Sequence, residues 1–405
     1  MSAAGIVCEY NPFHKGHLLH IEETRRALGQ DCTVVCVMSG DFVQRGENAL
    51  YSKFARAEAA CRCGADLVLE LPLPWCLSSA EGFARGAVSI LSALGLDYIS
   101  FGSEAGETAG LEKIAETLLN PLVTQEIKQL MARESSLSFA AARQQVLENR
   151  LGETALLIAS PNNILGVEYI KAIYELDLKL KPFTLARVGN AHDTEGDGEV
   201  KSASELRKLM RQGKDVSRYI PPQALEVYRR EREQGRVPDA QRLELALLSR
   251  LRLLSREECI ALPDAGDGLG NRLWKACMQE QSLDAILAAT KSKRYAMARI
   301  RRMCISAGLG ISAEQAAGLP GYTRVLASNE KGFAMLRGHE TKEGFTVITK
   351  PAAAAAMSPA ERKIFELGAA AHDLLRLAYP VESERKGGND WRNSPFIVKN
   401  DQKTA

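Results

Sequence analysis

Through its first half the chain alternates short, mostly apolar runs with stretches of helical period. Residues 3–8, 33–38, 66–71, 98–101 and 183–188 read as strands of the kind buried on both faces in a parallel sheet. Between them, residues 18–28, 52–63, 78–94, 110–120, 138–151 and 164–176 repeat apolar positions every three or four residues and predict helices. Ser52 and either Ser78 or Ser79 stand where N-caps belong, because a serine hydroxyl accepts from a first-turn N–H that has no partner inside its helix. Strand and helix in alternation predict an α/β fold with a doubly wound parallel sheet. The helices at 110–120 and 138–151 read as an insertion into it.

The pattern changes at Ile220-Pro221-Pro222. Beyond it the chain is almost wholly helical in period, and no strand signal of comparable strength returns until residues 322–327. This predicts two domains, an α/β unit at 1–213 and a mainly α-helical one at 214–405, and a length of 405 residues suits two cores better than one. Charge divides at the same place. Lys and Arg against Asp and Glu number 21 to 27 before the boundary and 31 to 23 after it, so the halves carry −6 and +8. Such a division suggests a catalytic domain joined to a polyanion-binding one, although exposed basic helices alone give the same tally.

A hydrophobic content of 45% and a charged content of 25% describe an ordinary globular protein. Nine cysteines with no C-x-x-C pair argue against a disulfide framework and a zinc site, and Cys61 and Cys63 read as buried thiols. No basic leader precedes the first apolar run, and the longest uncharged stretch, 154–167, is too short to span a bilayer. The expectation is a cytoplasmic protein with no membrane association, no resident metal and no stable protein partner.

Candidate chemistry gathers where the first strand ends. The run Gly5-Ile-Val-Cys-Glu-Tyr-Asn-Pro-Phe-His-Lys-Gly-His17 gives strand, tight loop and helix in order. His14 and His17 are three apart and project from nearly the same face of the helix start, toward the end where unpaired backbone N–H groups gather and anions are favoured. Two imidazoles there can donate to a polyphosphate, while Gly16 lets a flat base or ribose approach the backbone. A capped helix with two ordinary histidines is the competing reading. Asp41-Phe-Val-Gln-Arg-Gly46 follows the second strand, so Asp41, Gln44 and Arg45 lie where open α/β sheets bind ligands, unless Asp41 and Arg45 simply pair at the surface. Lys53 and Arg56 share one helix face, turned to solvent or to the site. Gly102 ends the fourth strand, Asn162 or Asn163 stands ready to cap the helix after it, and Arg187 is a charge near the end of an apolar strand. Residues 189–198, with His192, read as a flexible lid. Lys201-Ser-Ala-Ser-Glu-Leu-Arg207 is a serine-capped helix start with an arginine one turn in.

In the second half, Thr290-Lys-Ser-Lys-Arg-Tyr-Ala-Met-Ala-Arg-Ile-Arg-Arg302 carries six cations and no acid. Read as a helix, it sets Ser292, Tyr295 and Arg299 on one face. Lys291, Lys293, Arg294 and Arg299 then neutralise phosphates while Tyr295 stacks on an unpaired base, and a solvated cationic helix is the plainer alternative.

The His14-Lys-Gly-His17 stretch resembles the H-x-G-H signature of the nucleotidyltransferase superfamily, which includes small-molecule adenylyltransferases and class I aminoacyl-tRNA synthetases. The longer form from Glu9 to His17 resembles the bacterial tRNA(Met) cytidine acetate ligase family. So do Ser39-Gly-Asp-Phe-Val-Gln-Arg-Gly46, Phe101-Gly-Ser-Glu104, Ser160-Pro-Asn-Asn163 and the Lys-Arg-Tyr run. The resemblance implies a Rossmann-like, nucleotidyltransferase-type sheet and an enzyme that makes acetyl-adenylate and pyrophosphate from ATP and acetate. It then acetylates the wobble cytidine of elongator tRNA(Met) to N4-acetylcytidine. It further implies an ATP pocket from Val7 through Cys8, Glu9, Tyr10, Asn11, Pro12, Phe13, His14, Lys15, Gly16, His17, Leu18 and Leu19 to His20, completed by Gly102, Asn162 and Arg187. His14, His17, Asp41 and Arg45 are the catalytic candidates, with Gln44 beside them for acetate or cytidine placement. Ser202, Ser204 and Arg207 match a superfamily element that grips phosphate, and Mg²⁺ is expected with the triphosphate, though no carboxylate pair identifies its ligands. Two other readings stay open: a small-molecule adenylyltransferase, and a tRNA-binding protein without turnover.

Overall fold

The apolar runs assemble into one sheet, seen in a computed structural model that describes residues 2–134, 136–186, 201–338 and 341–399. In chain order the strands are β1 (Ala3–Cys8), β2 (Thr33–Ser39), the hairpin pair β3 (Phe42–Val43) and β4 (Glu47–Asn48), β5 (Leu67–Leu71), β6 (Tyr98–Ser103), β7 (Lys181–Ala186), β8 (Tyr322–Ser328), β9 (Thr346–Ile348) and β10 (Phe396–Ile397). The large sheet runs β10-β8-β5-β2-β1-β6-β7, with β9 also on β8. Its heart from β5 to β7 is parallel, as expected. β1 leads through its helix to β2 on one side, whereas β6 lies on the other, so the strand order reverses between β1 and β6 and opens a crevice at their carboxyl ends.

Helices cover both faces. α1 (Lys15–Leu28) and α2 (Lys53–Arg62) follow the first two strands; α3 (Leu73–Cys76) and α4 (Ala80–Ala93) follow β5. An excursion after β6 contains α5 (Ala109–Leu119), α6 (Pro121–Arg133), α7 (Phe139–Leu151) and α8 (Pro161–Glu175), and α9 (Ala203–Arg211) and α10 (Pro222–Glu233) follow β7. Alternate strand residues enter two cores. Ile6, Val34, Cys36 and Met38 pack with Ile21 of α1, Ala57 of α2, Leu206 of α9 and Val227 of α10. Val35, Val37, Leu67 and Leu69 pack with Leu91 of α4 and Ile170 of α8. α4 crosses β1 so closely that a Cβ on Gly5 would lie 2.3 Å from Leu91 Cδ2. Ser52 and Ser79 are the N-caps of α2 and α4, and Ser138 caps α7.

The expected α/β sheet is present and mostly parallel, but it is not confined to residues 1–213. β8 pairs antiparallel with β5, and β9 and β10 extend the sheet from β8, so the second half adds three strands to the first. Between them α11 (Ala240–Leu251), α12 (Arg256–Ile260), α13 (Leu269–Gln279), α14 (Leu283–Thr290) and α15 (Met297–Leu309) form a helical unit around Leu251, Leu273, Ile300 and Met303. α16 (Glu330–Gly338) and α17 (Pro359–Leu377) return to the sheet. The basic run is helical only from Met297, so Ser292, Tyr295 and Arg299 do not share a helix face. All nine cysteines are free thiols, Cys61 and Cys63 among the buried ones, as read from the sequence.

The β5–β8 seam encloses charge. Lys53 Nζ lies 2.7 Å from Glu70 Oε1 and 2.7 Å from Asp390 Oδ2. Arg324 of β8 pairs with the same Asp390 carboxylate and donates to the Asp390 and Asn393 carbonyls at 2.9 and 2.8 Å. Lys53 and Arg56 thus face neither solvent nor ligand, for both are buried, Arg56 directing its guanidinium to the Glu9, Ser39, Gly40 and Tyr51 carbonyls. Replacing Asp390 by Ala removes the carboxylate shared by two buried cations, and the unfolding free energy in urea is expected to fall by about 3–5 kcal/mol. A loss below about 1 kcal/mol, the scale of an exposed pair, would show the network to be dispensable. Burial alone would raise the Asp390 carboxyl, but Lys53, Arg324 and His372 outweigh it and hold it low. Its contribution is therefore present above the ordinary Asp value, about 3.9, and lost as the pH falls through the lower folded value.

Candidate active site

β1 is central in the sheet, yet its last residues stay partly open. Ala3, Ala4, Gly5 and Ile6 are buried, whereas Val7, Cys8 and Glu9 keep partial exposure, as does Gly102 near the end of β6. That opening is the crevice, and the chain crosses its mouth through Tyr10, at φ 46°, and a cis Asn11-Pro12 bond before α1 begins.

His14 is the N-cap of α1. Its Nδ1 accepts from Gly16 N at 3.1 Å, and His17 Nδ1 accepts from His14 N at 3.2 Å, so the two histidines form a reciprocal capping box. The rings stack with centroids 3.7 Å apart, and Tyr10 and Phe13 wall the His17 ring at 4.8 and 5.6 Å. Each Nδ1 is an acceptor, so the proton of each neutral ring sits on Nε2. The capped helix, one of the two readings of the sequence, is present, and its bonds assign the acceptor role in each ring to Nδ1. One expectation changes: the first-turn N–H groups are not left unpaired. Lys15 N donates to Tyr219 O at 2.9 Å, Gly16 N to His14, and His17 N to His14 O at 2.9 Å. These first-turn N–H groups are thus already taken up by protein acceptors.

The loop is held by residues remote from it in the chain. Phe13 N donates to Tyr228 Oη at 2.8 Å, Tyr228 stacks on Tyr51 at 4.4 Å, and Arg207 donates to Asn11 O at 2.9 Å. Asn11 Oδ1 accepts from Leu50 N at 2.8 Å, which orients the amide and leaves Nδ2 buried with no hydrogen-bond partner among the described residues. Tyr219 and Tyr228 carried no signal in the sequence, since a tyrosine in a helical period reads as core. Further along α1, His20 Nε2 lies 3.0 Å from Ser100 Oγ of β6.

Across the crevice, Asn162 and Asn163 lie in the first turn of α8, whose N-cap is Ser160, so neither caps the helix as expected. Asn162 Nδ2 donates to Glu104 Oε1 at 2.6 Å, and Asn163 Oδ1 accepts from Glu104 N and Ala105 N, tying α8 to the turn after Gly102. Arg187, His192 and residues 189–198 lie outside the described residues.

The 41–46 loop divides. Gln44 N donates to Glu9 Oε1 at 3.1 Å, and Arg45 is exposed. Partial burial raises the Glu9 carboxyl, opposed by the Gln44 hydrogen bond and by Arg207, Arg56 and Arg45. Asp41 instead points into the core, its Oδ1 on Lys53 N at 2.7 Å and its Oδ2 on His372 Nδ1 at 2.7 Å. It neither pairs with Arg45 nor faces the crevice, so a direct catalytic role is corrected to a structural one. Gly46, at φ +74°, rests on α15 so tightly that a Cβ would come within 2.5 Å of Arg302 N.

Ser202 caps α9 through Glu205, and Ser204 is exposed beside it. Lys201 lies 5.5 Å from the Tyr219 ring, so this helix start stands next to the His14 loop. Arg207 reaches Glu47 at 3.5 Å, and Arg301 of α15 reaches the same Glu47 at 2.9 Å. Arg301 rather than Arg299 thus joins the basic run to the site. The stacking role expected of Tyr295 is corrected: its ring is 8% exposed, packed in the helical unit under Arg299 at 4.8 Å. Arg299 donates to Asp264 O and Lys291 to the Ser292 carbonyl, while Lys293 is exposed and Arg294 half-exposed.

Known proteins share this arrangement. A family model described as HIGH Nucleotidyl Transferase matches residues 1–390. The tRNA(Met) cytidine acetate ligase of Alkaliphilus metalliredigens is 34% identical over 424 residues, covering 98% of this chain and 99% of that protein. The one from Caldanaerobacter subterraneus subsp. tengcongensis is 37% identical over 390 residues, covering 94% and 96%. Crystal structures of Thermotoga maritima TmcAL, one bound with alpha-thio ATP and one apo, superpose with TM-scores of 0.89 and 0.91 at 30% identity, covering 98% of this chain and 100% of theirs. With the family model matching residues 1–390 and relatives of that name alike over nearly the full length, this chain belongs to the tRNA(Met) cytidine acetate ligase family of HIGH nucleotidyl transferases.

Proposed function

We propose that the chain is a tRNA(Met) cytidine acetate ligase that uses ATP and acetate. The observation that carries this reading is the His14–His17 capping box at the switch point, in a chain whose relatives bear that name. An acetate oxygen attacks the α-phosphorus of ATP, the bond to the bridging oxygen breaks, and pyrophosphate leaves with the electron pair. The N4 amine of the wobble cytidine of elongator tRNA(Met) then attacks the acetyl carbonyl, AMP leaves, and the amine loses its proton. Acetate is already a nucleophile, so the barrier to the first step is charge repulsion, and catalysis is positioning and charge stabilisation.

His14 and His17 supply Nε2–H donors to the charge developing on the phosphates. Gly16 admits the nucleotide, Asn11 Nδ2 is a donor oriented for it, and Gly102 and Asn162 close the far wall of a pocket running from Val7 to His20. Arg207 acts on phosphate with Ser202 and Ser204 at its side, and Gln44 and Arg45 place acetate or cytidine. Lys293 and Arg294 are the phosphate contacts for tRNA from the basic run. Among the described residues no group of three His, Cys, Asp or Glu side chains is poised to hold a metal. Mg²⁺ is expected with the triphosphate, held mainly by phosphate oxygens. A tRNA substrate implies work in the cytoplasm, and no helix among the described residues is long and apolar enough to cross a membrane.

Acetate-dependent exchange of pyrophosphate into ATP, followed by mass analysis of tRNA(Met), tests the reading. Exchange without acetate would point to a small-molecule adenylyltransferase, and its absence under every condition to a protein that binds tRNA without turnover. His17→Ala is expected to slow the exchange about 10²–10³-fold, the usual cost of one transition-state donor. A variant within about threefold of the parent, far short of that cost, would remove His17 from the chemistry. For tRNA, a Lys293→Ala, Arg294→Ala double variant should flatten the slope of log affinity against log salt by about 2, one unit for each phosphate no longer neutralised. An unchanged slope would move the tRNA surface elsewhere.

A further inference from the structure

His372 of α17 carries no charge signal in the sequence, yet it touches the loop that carries Gln44 and Arg45. Its Nδ1 lies 2.7 Å from Asp41 Oδ2 and its Nε2 lies 3.1 Å from Asn389 Oδ1. That amide oxygen also accepts from Asn393 Nδ2 at 2.8 Å, so one arrangement serves both contacts. Both ring nitrogens thus face acceptors, and an imidazole that donates twice is an imidazolium. The two side chains are 1% and 2% exposed, with Phe54 edge-on to the ring at 5.4 Å.

Charge balance gives the same answer from a separate direction. Three acids, Asp41, Glu70 and Asp390, meet two cations, Lys53 and Arg324, in this buried cluster. With all three carboxylates ionised a protonated His372 makes the sum neutral; burial, opposed by Lys53 and Arg324, raises the Glu70 carboxyl from its ordinary value. Arg56, the next cation toward Asp41, is taken up by carbonyls and stands near Glu9, and Tyr379 presents a neutral hydroxyl from beyond α17. Burial opposes the His372 charge, but the Asp41 carboxylate and its hydrogen bond, with Asp390, outweigh both burial and Lys53 and raise the imidazole above its ordinary value. The same contact holds the Asp41 carboxyl below its ordinary value against burial.

Asp41 in turn pins the loop at both ends. Its carbonyl accepts from Ala49 N at 2.8 Å, closing the hairpin, and its Oδ1 accepts from Lys53 N, the first helical residue of α2. Gln44 and Arg45 sit at the tip between those anchors. We infer that His372 is a positioning residue, which as an imidazolium between Asp41 and Asn389 sets the placement of Gln44 and Arg45 against the crevice. The inference rests on the acetate-ligase reading for what the loop does, and on geometry alone for how it is held.

Two measurements test it. Histidine C2 hydrogen–deuterium exchange across pH, read by mass spectrometry on the unmodified protein, should give the His372 peptide a midpoint above the ordinary value of about 6.5. A midpoint at or below that value overturns the inference whether or not the protein turns over. Acetate-dependent pyrophosphate exchange should fall about 10²-fold in His372→Gln, the scale of a misplaced binding group, with ATP affinity kept within about twofold. Asp41→Asn combined with His372→Gln should be no slower than the slower single variant, because both act through one contact. The parent's rate should decline as pH rises through the raised midpoint, where the imidazolium is lost, and that limb should be missing in His372→Gln. Parental exchange in His372→Gln, or additive losses in the double variant, would overturn the assignment. A parent that never exchanges refutes the ligase reading and leaves the exchange midpoint to decide the charge state.

Discussion

The constraint on which the site depends is that a loop at the mouth of a buried strand must satisfy its own backbone. After β1 the chain turns sharply through residues 9–14 into the first turn of α1, where the sheet ladder has ended and the helix cannot yet pair its first N–H groups. The partners come from elsewhere: Tyr228 Oη for Phe13 N, Tyr219 O for Lys15 N, Arg207 for Asn11 O, and the two histidine rings for Gly16 N and His14 N. The histidines serve the structure by accepting at Nδ1, and in the proposed chemistry the same rings donate from Nε2. A substitution that keeps ring size but not the Nδ1 acceptor would lose the cap and the tautomer together.

The second constraint is buried charge at the seam where the second half meets the sheet. Glu70 sits in β5 and Arg324 in β8, neighbours across an antiparallel pair, and a strand buried on both faces tolerates them only because Lys53, Asp390 and His372 complete the set. Hydrophobic residues of similar volume would serve stability as well or better. What ions add is selectivity of pairing, since a β8 in the wrong register would bury Arg324 without its acids. The same cluster reaches Asp41, so docking of β8 and α17 is felt at the tip of the 41–46 loop.

Sequence reading succeeded where a local rule governs. β1 and β2 were legible as short runs too apolar to lie anywhere but between helix layers, and Ser52, Ser79 and Ser202 as caps because the hydroxyl's partner is three residues away. It failed where the partner is remote in the chain. Asn162 stood at a helix start and read as a cap, but its amide is used across the crevice on Glu104. Asp41 read as a ligand group because nothing nearby in sequence shows that His372, some 330 positions later, waits for it. Tyr295 read as a stacking platform because basic neighbours suggest RNA, whereas its ring fills the core of the helical unit. The strand at 322–327 was visible as a strand but not as a member of the first sheet, since apolar pattern specifies burial and not partner.

These remote contacts make the crevice a property of the whole chain. Glu47 is shared between Arg207, which holds the His14 loop, and Arg301, which belongs to the helical unit. Pairs this exposed add little to stability, and their energy alone would not fix the two parts. Gly46 supplies the rigid element: its left-handed backbone lies against the backbone of Arg301 and Arg302 with no room for a side chain, so the hairpin tip cannot shift without moving α15. Arg45 is covalently next to that contact. A tRNA gripped by the basic run at Lys293 and Arg294 would pull on α15, and the first residue to feel it in the crevice would be the arginine proposed to place the reacting group. The proposed acetate activation and the proposed RNA contact at Lys293 and Arg294 would thus be joined by a steric contact at Gly46, one peptide from Arg45.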